Sequence, residues 1–250
     1  TMIILEKGDD GLFDPGAHTL KMVHQLSATS DPVFSLTVPA SRIIGGYEVV
    51  DGVIVPKYNH SEIIAAVFSH TRVPVGIMGS AKLLSAVEPI LRYQRQRFRG
   101  GEASQEGTPR YDLGLQMNQD ALLRLLDVWG TGEAGTSMGF YTARMYDILD
   151  PLEKEKDKIF AEQGVTGARA QMMAFKKVQP QAQELADLYF AHPSRRDEAR
   201  MEELAADPIV RYAAMEAVGG VLCPAIKLWG TGHSARVMRE AISLMGGYGI

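Results

Sequence analysis

The first fifty-eight residues follow a strand-like hydrophobic pattern and the rest a helical one. Residues 2–6 are a short apolar run closed by Gly8, Asp9, Asp10 and Gly11, a turn-forming set. Val33, Phe34, Ser35, Leu36, Thr37 and Val38 alternate apolar and polar side chains, as in a half-buried strand, and Pro39 ends the run. Residues 47–50 and 53–55 flank Asp51-Gly52, a dipeptide suited to a tight hairpin.

From Ser61 the period changes. Ser61 can cap a helix, Glu62 suits its first turn, and Ile63, Ile64, Val67 and Phe68 recur at helical spacing. A long helix is predicted over 72–97, with Pro74 in its first turn. Its Gly76, Gly79, Ser80 and Ala81 form a face of small residues that permits close helix packing. Residues 100–109 read as a loop. A second long helix is predicted over 116–149, broken by Asp150-Pro151. The mixed charges of 153–158 read as a solvated helix face. Pro180, Pro193 and Pro208 divide the later part of the chain into shorter helices, and a last helix covers 233–245. The fold class is therefore α+β: a β portion over 1–58, then a helical portion over 59–250.

Composition narrows the field of functions. The 250 residues carry a net charge of −4, so no basic excess points to nucleic acid. No unbroken run of about 18 apolar residues occurs, and the expectation is of no membrane span. One cysteine, Cys223, rules out an internal disulfide and suits a reducing cytoplasm. The first ten residues do not read as a signal peptide. Both ends read as cuts in a longer polypeptide: a strand in mid-flow at the start, a glycine cluster at the end.

Several motifs fail on context. Gly130-Thr131-Gly132-Glu133-Ala134-Gly135 satisfies G-x-G-x-x-G, and Asp150 lies beyond it at about the ribose-binding distance. The leucine-rich segment before it is helical, however, and no βαβ unit can be drawn; Gly230 to Ala235 fails likewise. Trp-Gly-Thr-Gly occurs twice, at Trp129 and Trp229, which fits coincidence or two helices needing small residues at a crossing. The six histidines are scattered, without metal-ligand spacing, and read as structural or surface residues. Two candidates remain. The basic segment Tyr93 to Gly100, with Arg95, Arg97 and Arg99, is either a solvated helix end or a guanidinium cluster for a phosphate or pyrophosphate. Leu244 to Gly249 is either a helix stop or backbone that approaches a ligand closely.

In order and spacing these pieces resemble the acyl-CoA dehydrogenase family. Val38-Pro39-Ala40-Ser41-Arg42-Ile43-Ile44-Gly45 is similar to the passage that ends its β domain, preceded by Lys21-Met22, Ser27-Ala28-Thr29 and Val33-Phe34. Thr71-Arg72, residues 76–86, Tyr93 and Arg97 are similar to the first long helix of its C-terminal domain, and Met245-Gly246-Gly247-Tyr248-Gly249 to its glycine signature. The resemblance implies the end of a small antiparallel β domain followed by an incomplete C-terminal helical bundle. It implies FAD, an acyl-CoA substrate, electrons passed to an electron-transfer flavoprotein, and a homo-oligomer, tetramer or dimer of dimers, that shares its FAD sites. Arg97, or Arg95, would meet the FAD pyrophosphate of a neighbouring subunit. Gln116 matches a glutamine of the next helix. Gly246, Gly247, Tyr248 and Gly249 would lie along the adenosine, and Ser243 stands where many members have a glutamine that contacts the flavin. Arg72 and Thr71 would lie near the acyl-CoA. Some members place the catalytic glutamate just before that arginine; Thr71 cannot serve as a base, so the resemblance puts the base beyond Ile250. An oxidase or lyase of the same fold, or a non-catalytic subunit completing a partner's FAD site, are the alternatives. The 150–208 segment looks longer than the family's usual connection and would reshape a pocket or an interface.

Overall fold

A computed structural model of the chain describes residues 2–19, 29–58, 60–97 and 105–249. It is mostly helical, 73%, with short antiparallel strand pairs, in agreement with the α+β expectation. Two compact units divide at Phe68/Ser69, ten residues beyond the boundary expected from the change of period.

In the first unit β1 (Asp10–Asp14) pairs antiparallel with β4 (Val33–Thr37), Leu12 facing Ser35. Between them β2 (His18–Thr19) pairs with β3 (Thr29–Ser30). The hairpin of β5 (Tyr47–Val50) and β6 (Val53–Pro56) turns at Asp51 and Gly52, whose φ values are 51° and 76°. Positive φ at both central residues is what matches the strands' twist, and Asp-Gly tolerates it. Two expectations fail here. Residues 2–6 are not a strand: Ile3 makes one bridge to Ile43, and the turn closes earlier because the Asp9 carboxylate accepts the Glu6 N–H at 2.8 Å. Asp10 and Gly11, expected in the turn, open β1 instead. Nor is β4 half-buried, since Val33 is 62% and Phe34 53% exposed. Alternation marks two faces but not which of them is covered. Lys21, Met22, Ser27 and Ala28 lie outside the described residues.

The helices are α1 (His60–Gln96), α2 (Pro109–Leu113), α3 (Gln119–Glu162), α4 (Ala168–Phe190), α5 (Glu198–Ala205), α6 (Pro208–Leu228) and α7 (Ser234–Ser243). A π-helical turn, Trp229–His233, joins α6 to α7. Asn118 caps α3, its side chain accepting the Asp120 N–H, so that helix starts after Gln116 rather than at it. Asp207 caps α6 with Pro208 in the first turn, a helix start where the sequence reading marked only a division at Pro208.

Three other prolines depart from expectation. Pro74 lies inside α1, Pro151 inside α3 and Pro180 inside α4. An interior proline costs about 3 kcal/mol. Beyond Pro151, Leu152 and Phe160 are buried to 4% and 3%, and each contributes roughly 1.5–3 kcal/mol, enough to carry α3 through. Pro180 stands on an exposed face, where water can take up the carbonyl it strips of a donor. The charged 153–158 segment is solvated except at Lys156. That residue is 8% exposed, pairs with Asp157 at 2.9 Å and lies 4.7 Å from the Tyr212 ring.

Three clusters make the helical core: Met145, Leu185, Met215 and neighbours among α3, α4 and α6; Leu83, Ile90, Val128 and Val237 among α1, α3 and α7; and Val73, Cys223 and Ile226 between α1 and α6. The small-residue face of α1 meets backbone there. A Cβ on Gly76 would stand 2.5 Å from Ile226 O, one on Gly79 would strike Gly230 O, and one on Gly230 would lie 2.6 Å from the Gly76 Cα. Trp229 fits against Gly135 of α3 and donates its indole N–H to Thr131 O at 3.2 Å. Both Trp-Gly-Thr-Gly copies thus sit in helices crossing at small residues, Gly132 of the first packing on Leu84. The G-x-G-x-x-G at Gly130 is interior to α3, without the strand a dinucleotide loop needs.

Residues 63–96 and 208–243 are each long and apolar enough, by length and composition, to cross a membrane. Scattered polar residues hide this from a search for unbroken runs. The second stretch includes the core residues Met215, Val218 and Ile226, and a soluble core helix meets the same criterion.

Gly79→Ala and Gly230→Ala should each cost about 1–3 kcal/mol or more in denaturant unfolding, since backbone cannot give way. Gly130→Ala, with open space at its Cβ, should gain roughly 0.5–1 kcal/mol. Arg200 grips Glu184 at 2.7 and 2.8 Å and holds its carboxyl below the ordinary value of 4.5. A depressed carboxyl adds stability above its unfolded value and loses it as pH falls through the folded one. Glu184→Gln should therefore be less stable than wild type at neutral pH, with the gap closing below pH 4.5 in thermal melts.

Candidate functional site

The two candidates left open by the sequence share one cleft. Near the end of α1, Arg92, Tyr93, Gln96 and Arg97 line one side of it; Met245 and Tyr248 line the other. The cleft holds about 490 Å³. Positions 92, 93, 96 and 97 are helix-surface neighbours by their spacing, which turns Arg95 away. Arg97 lines the cleft and Arg95 does not. Tyr93 and Tyr248 meet edge-on with centroids 5.7 Å apart. Arg92 pairs with Glu88 at 3.3 Å, but both are about 70% exposed, and such a pair is worth at most about 1 kcal/mol. Its guanidinium is thus cheaply redirected. Two arginine charges outweigh Glu88 together with the roughly half-unit negative charge of the helix end, so the cleft can hold an anion. Phe98, Arg99 and Gly100 lie outside the described residues.

The terminal glycines divide by role. Gly246 has φ +56°, and a Cβ there would lie 2.9 Å from the Tyr93 hydroxyl. Gly249 packs on Ile242, so both glycines have reasons within the chain, as a helix stop requires. Gly247, inside the 3-10 turn Gly246–Gly249, has open space where a Cβ would stand. Tyr248 is 83% exposed. Ser243 is engaged elsewhere: its hydroxyl accepts from Arg124 at 2.7 Å and donates to Glu240 O at 2.8 Å, and Arg124 also bonds the Glu240 carboxylate. Gln116 lies in the 3-10 turn Gly114–Met117, half-buried, its amide nitrogen without a partner among the described residues. Gly114 rests on the backbone of Gln94 and Arg95, which puts this turn against the end of α1.

Thr71 and Arg72 lie far from this cleft, roughly 36 Å along α1 at about 1.5 Å per residue. Both are exposed, and both flank a cluster that the scattered histidines concealed. His70 Nδ1 lies 3.0 Å from Ser69 Oγ, and His70 Nε2 lies 3.3 Å from Asp150 Oδ1. The imidazole packs on Tyr146 with centroids 5.2 Å apart, and the Cys223 thiol donates to Ser69 O at 3.2 Å. Burial, aided by the Cys223 sulfur, pushes the Tyr146 phenol well above its ordinary value, so it stays protonated. Eighty residues separate His70 from Asp150, so no local motif announces the pair. Among the described residues no group of three His, Cys, Asp or Glu is placed to hold a metal ion.

Gln94 is 1% exposed, and neither amide atom has a partner among the described residues. An unpaired buried amide costs about 1–3 kcal/mol, so Gln94→Met should stabilise the protein by that amount in denaturant unfolding.

No known family, no curated protein and no solved structure matches the chain.

Proposed function

We propose that this chain belongs to a flavoprotein of the acyl-CoA dehydrogenase type. It would dehydrogenate an acyl-CoA thioester between its α and β carbons in the cytoplasm and pass electrons to an electron-transfer flavoprotein. The convergence of two segments some 150 residues apart carries this reading. The arginine-bearing end of α1 and the glycine-rich segment, each a weak signal alone, line one cleft. Two guanidinium groups suit a pyrophosphate, which arginine grips in a planar fork. The open space beside Gly247 leaves room for a ligand, and Tyr93 and Tyr248 offer apolar ring edges.

A cleft of about 490 Å³ takes part of FAD and not the whole. That accords with a homo-oligomer in which each FAD lies between subunits. It also gives a reason for the distance along α1: Arg97 and Arg92 would hold a neighbour's pyrophosphate, while Arg72 serves the acyl-CoA of its own subunit. FAD, when bound, accepts a hydride from the substrate. The chain's own part is to anchor the cofactor's phosphates and to orient the thioester.

Flavin fluorescence titration tests this. Arg97→Ala should weaken FAD binding roughly 10- to 100-fold, the loss of one charge-assisted contact, while Arg95→Ala should bind like wild type. Equal affinity in all three proteins would sink the assignment.

A further inference from the structure

The geometry points to a second binding site, between α3 and the turn into α7, for a small zwitterion such as a free aliphatic amino acid. It shares no lining residue with the Arg97 cleft.

The two segments run antiparallel here. At one end Arg124 bonds the Glu240 carboxylate and the Ser243 hydroxyl, and at the other the Trp229 indole donates to Thr131 O. Between these ties lies a cleft of about 500 Å³, within the range of small-molecule sites. Arg124, Asp127 and Thr131 line it from α3, and their spacing puts them on one helix face. His233 lines it from the π turn, and Arg236, Val237 and Glu240 from α7. Position 127 is near the middle of the span from 124 to 131, and position 236 is near the middle of the span from 229 to 243. Asp127 and Arg236 are therefore level across the cleft. Neither side chain has an ion pair or hydrogen bond among the described residues, so the cleft keeps these opposite charges apart.

Arg124 and Glu240 neutralise each other, which leaves Asp127 and Arg236 to set the chemistry. An ammonium suits the first, and a carboxylate the second, which arginine takes in a planar fork. A simple anion would also meet Asp127 and Glu240, and a simple cation would meet both arginines. Only a molecule carrying both charges answers both sides. Val237, 8% exposed and packed with Leu125 and Val128, gives the floor an apolar patch that suits a short aliphatic body. His233 is held edge-on to Trp229, with centroids 4.7 Å apart, and adds a polar ring. It stands in the π turn, a feature frequent at functional sites.

Isothermal titration calorimetry of the full protein with glycine, alanine and 4-aminobutyrate tests the site, with acetate and methylamine as singly charged controls. At least one zwitterion should bind with a dissociation constant on the order of 1 mM or tighter, and neither control should. Asp127→Asn and Arg236→Gln should each weaken binding roughly 10-fold or more, the loss of one charge-assisted contact. Both side chains are exposed, so both variants should fold, which thermal melts check. Asp127→Lys combined with Arg236→Glu should bind more tightly than either reversal alone, because the pair accepts the ligand turned round. A merely structural role would give no such recovery. Sedimentation velocity is run in parallel. Silence from every zwitterion, equal binding of a control, full affinity in both neutral variants or no recovery in the double reversal would overturn the site. So would a variant that loses subunit contacts while its affinity is unchanged. FAD uptake should be the same in all of these variants, so the flavin reading and this site can each fail without the other.

Discussion

Backbone-to-backbone contact between α1 and the start of the π-helical turn sets the layout of the helical unit. Gly76 and Gly79 on one side and Gly230 on the other leave no room for a Cβ. Helix axes can approach this closely only where side chains are absent. The extra residue of the π turn re-aims α7 relative to α6. Trp229 is thereby directed into α3, where Gly135 makes space and Thr131 accepts its N–H. One crossing thus ties α1, α3 and the α6–α7 junction together. Because α1 is held near its middle, its flanking stretches present two separate chemical groups, His70 to Arg72 on one side and Arg92 to Arg97 on the other.

Much of this was legible in the sequence, and the unread parts share a cause. Gly76, Gly79, Ser80 and Ala81 announced a close crossing and Asp51-Gly52 a hairpin, because each is a local requirement of backbone geometry. Pro74, Pro151 and Pro180 misled for the same reason. Their local cost is real, but at Pro151 the burial of Leu152 and Phe160 exceeds it, and at Pro180 water takes up the freed carbonyl. The exposure of Val33 and Phe34 was beyond reach too, since alternation does not say which face is covered.

The functional groups divide along the same line. The arginine and glycine segments were visible as separate motifs with ordinary alternatives, and only the fold shows that Arg97 rather than Arg95 joins Tyr248. It also shows that Gly246 and Gly249 answer needs within the chain, while Gly247 has open space beside it. Ser243 is spent on Arg124. His70 and Asp150 meet only through the packing of α1 on α3. Reading residue types along the chain finds groups fit for chemistry; which of them act together is decided by long-range packing.

The proposed flavin site is the cleft between Arg92, Arg97, Met245 and Tyr248. The most direct measurement is the visible absorption spectrum of the purified protein, recorded without oxygen before and after adding acyl-CoAs of graded chain length. A flavin spectrum, native or after adding FAD, that bleaches with at least one of them is the expected result. A protein that carries no flavin and takes none up would contradict it.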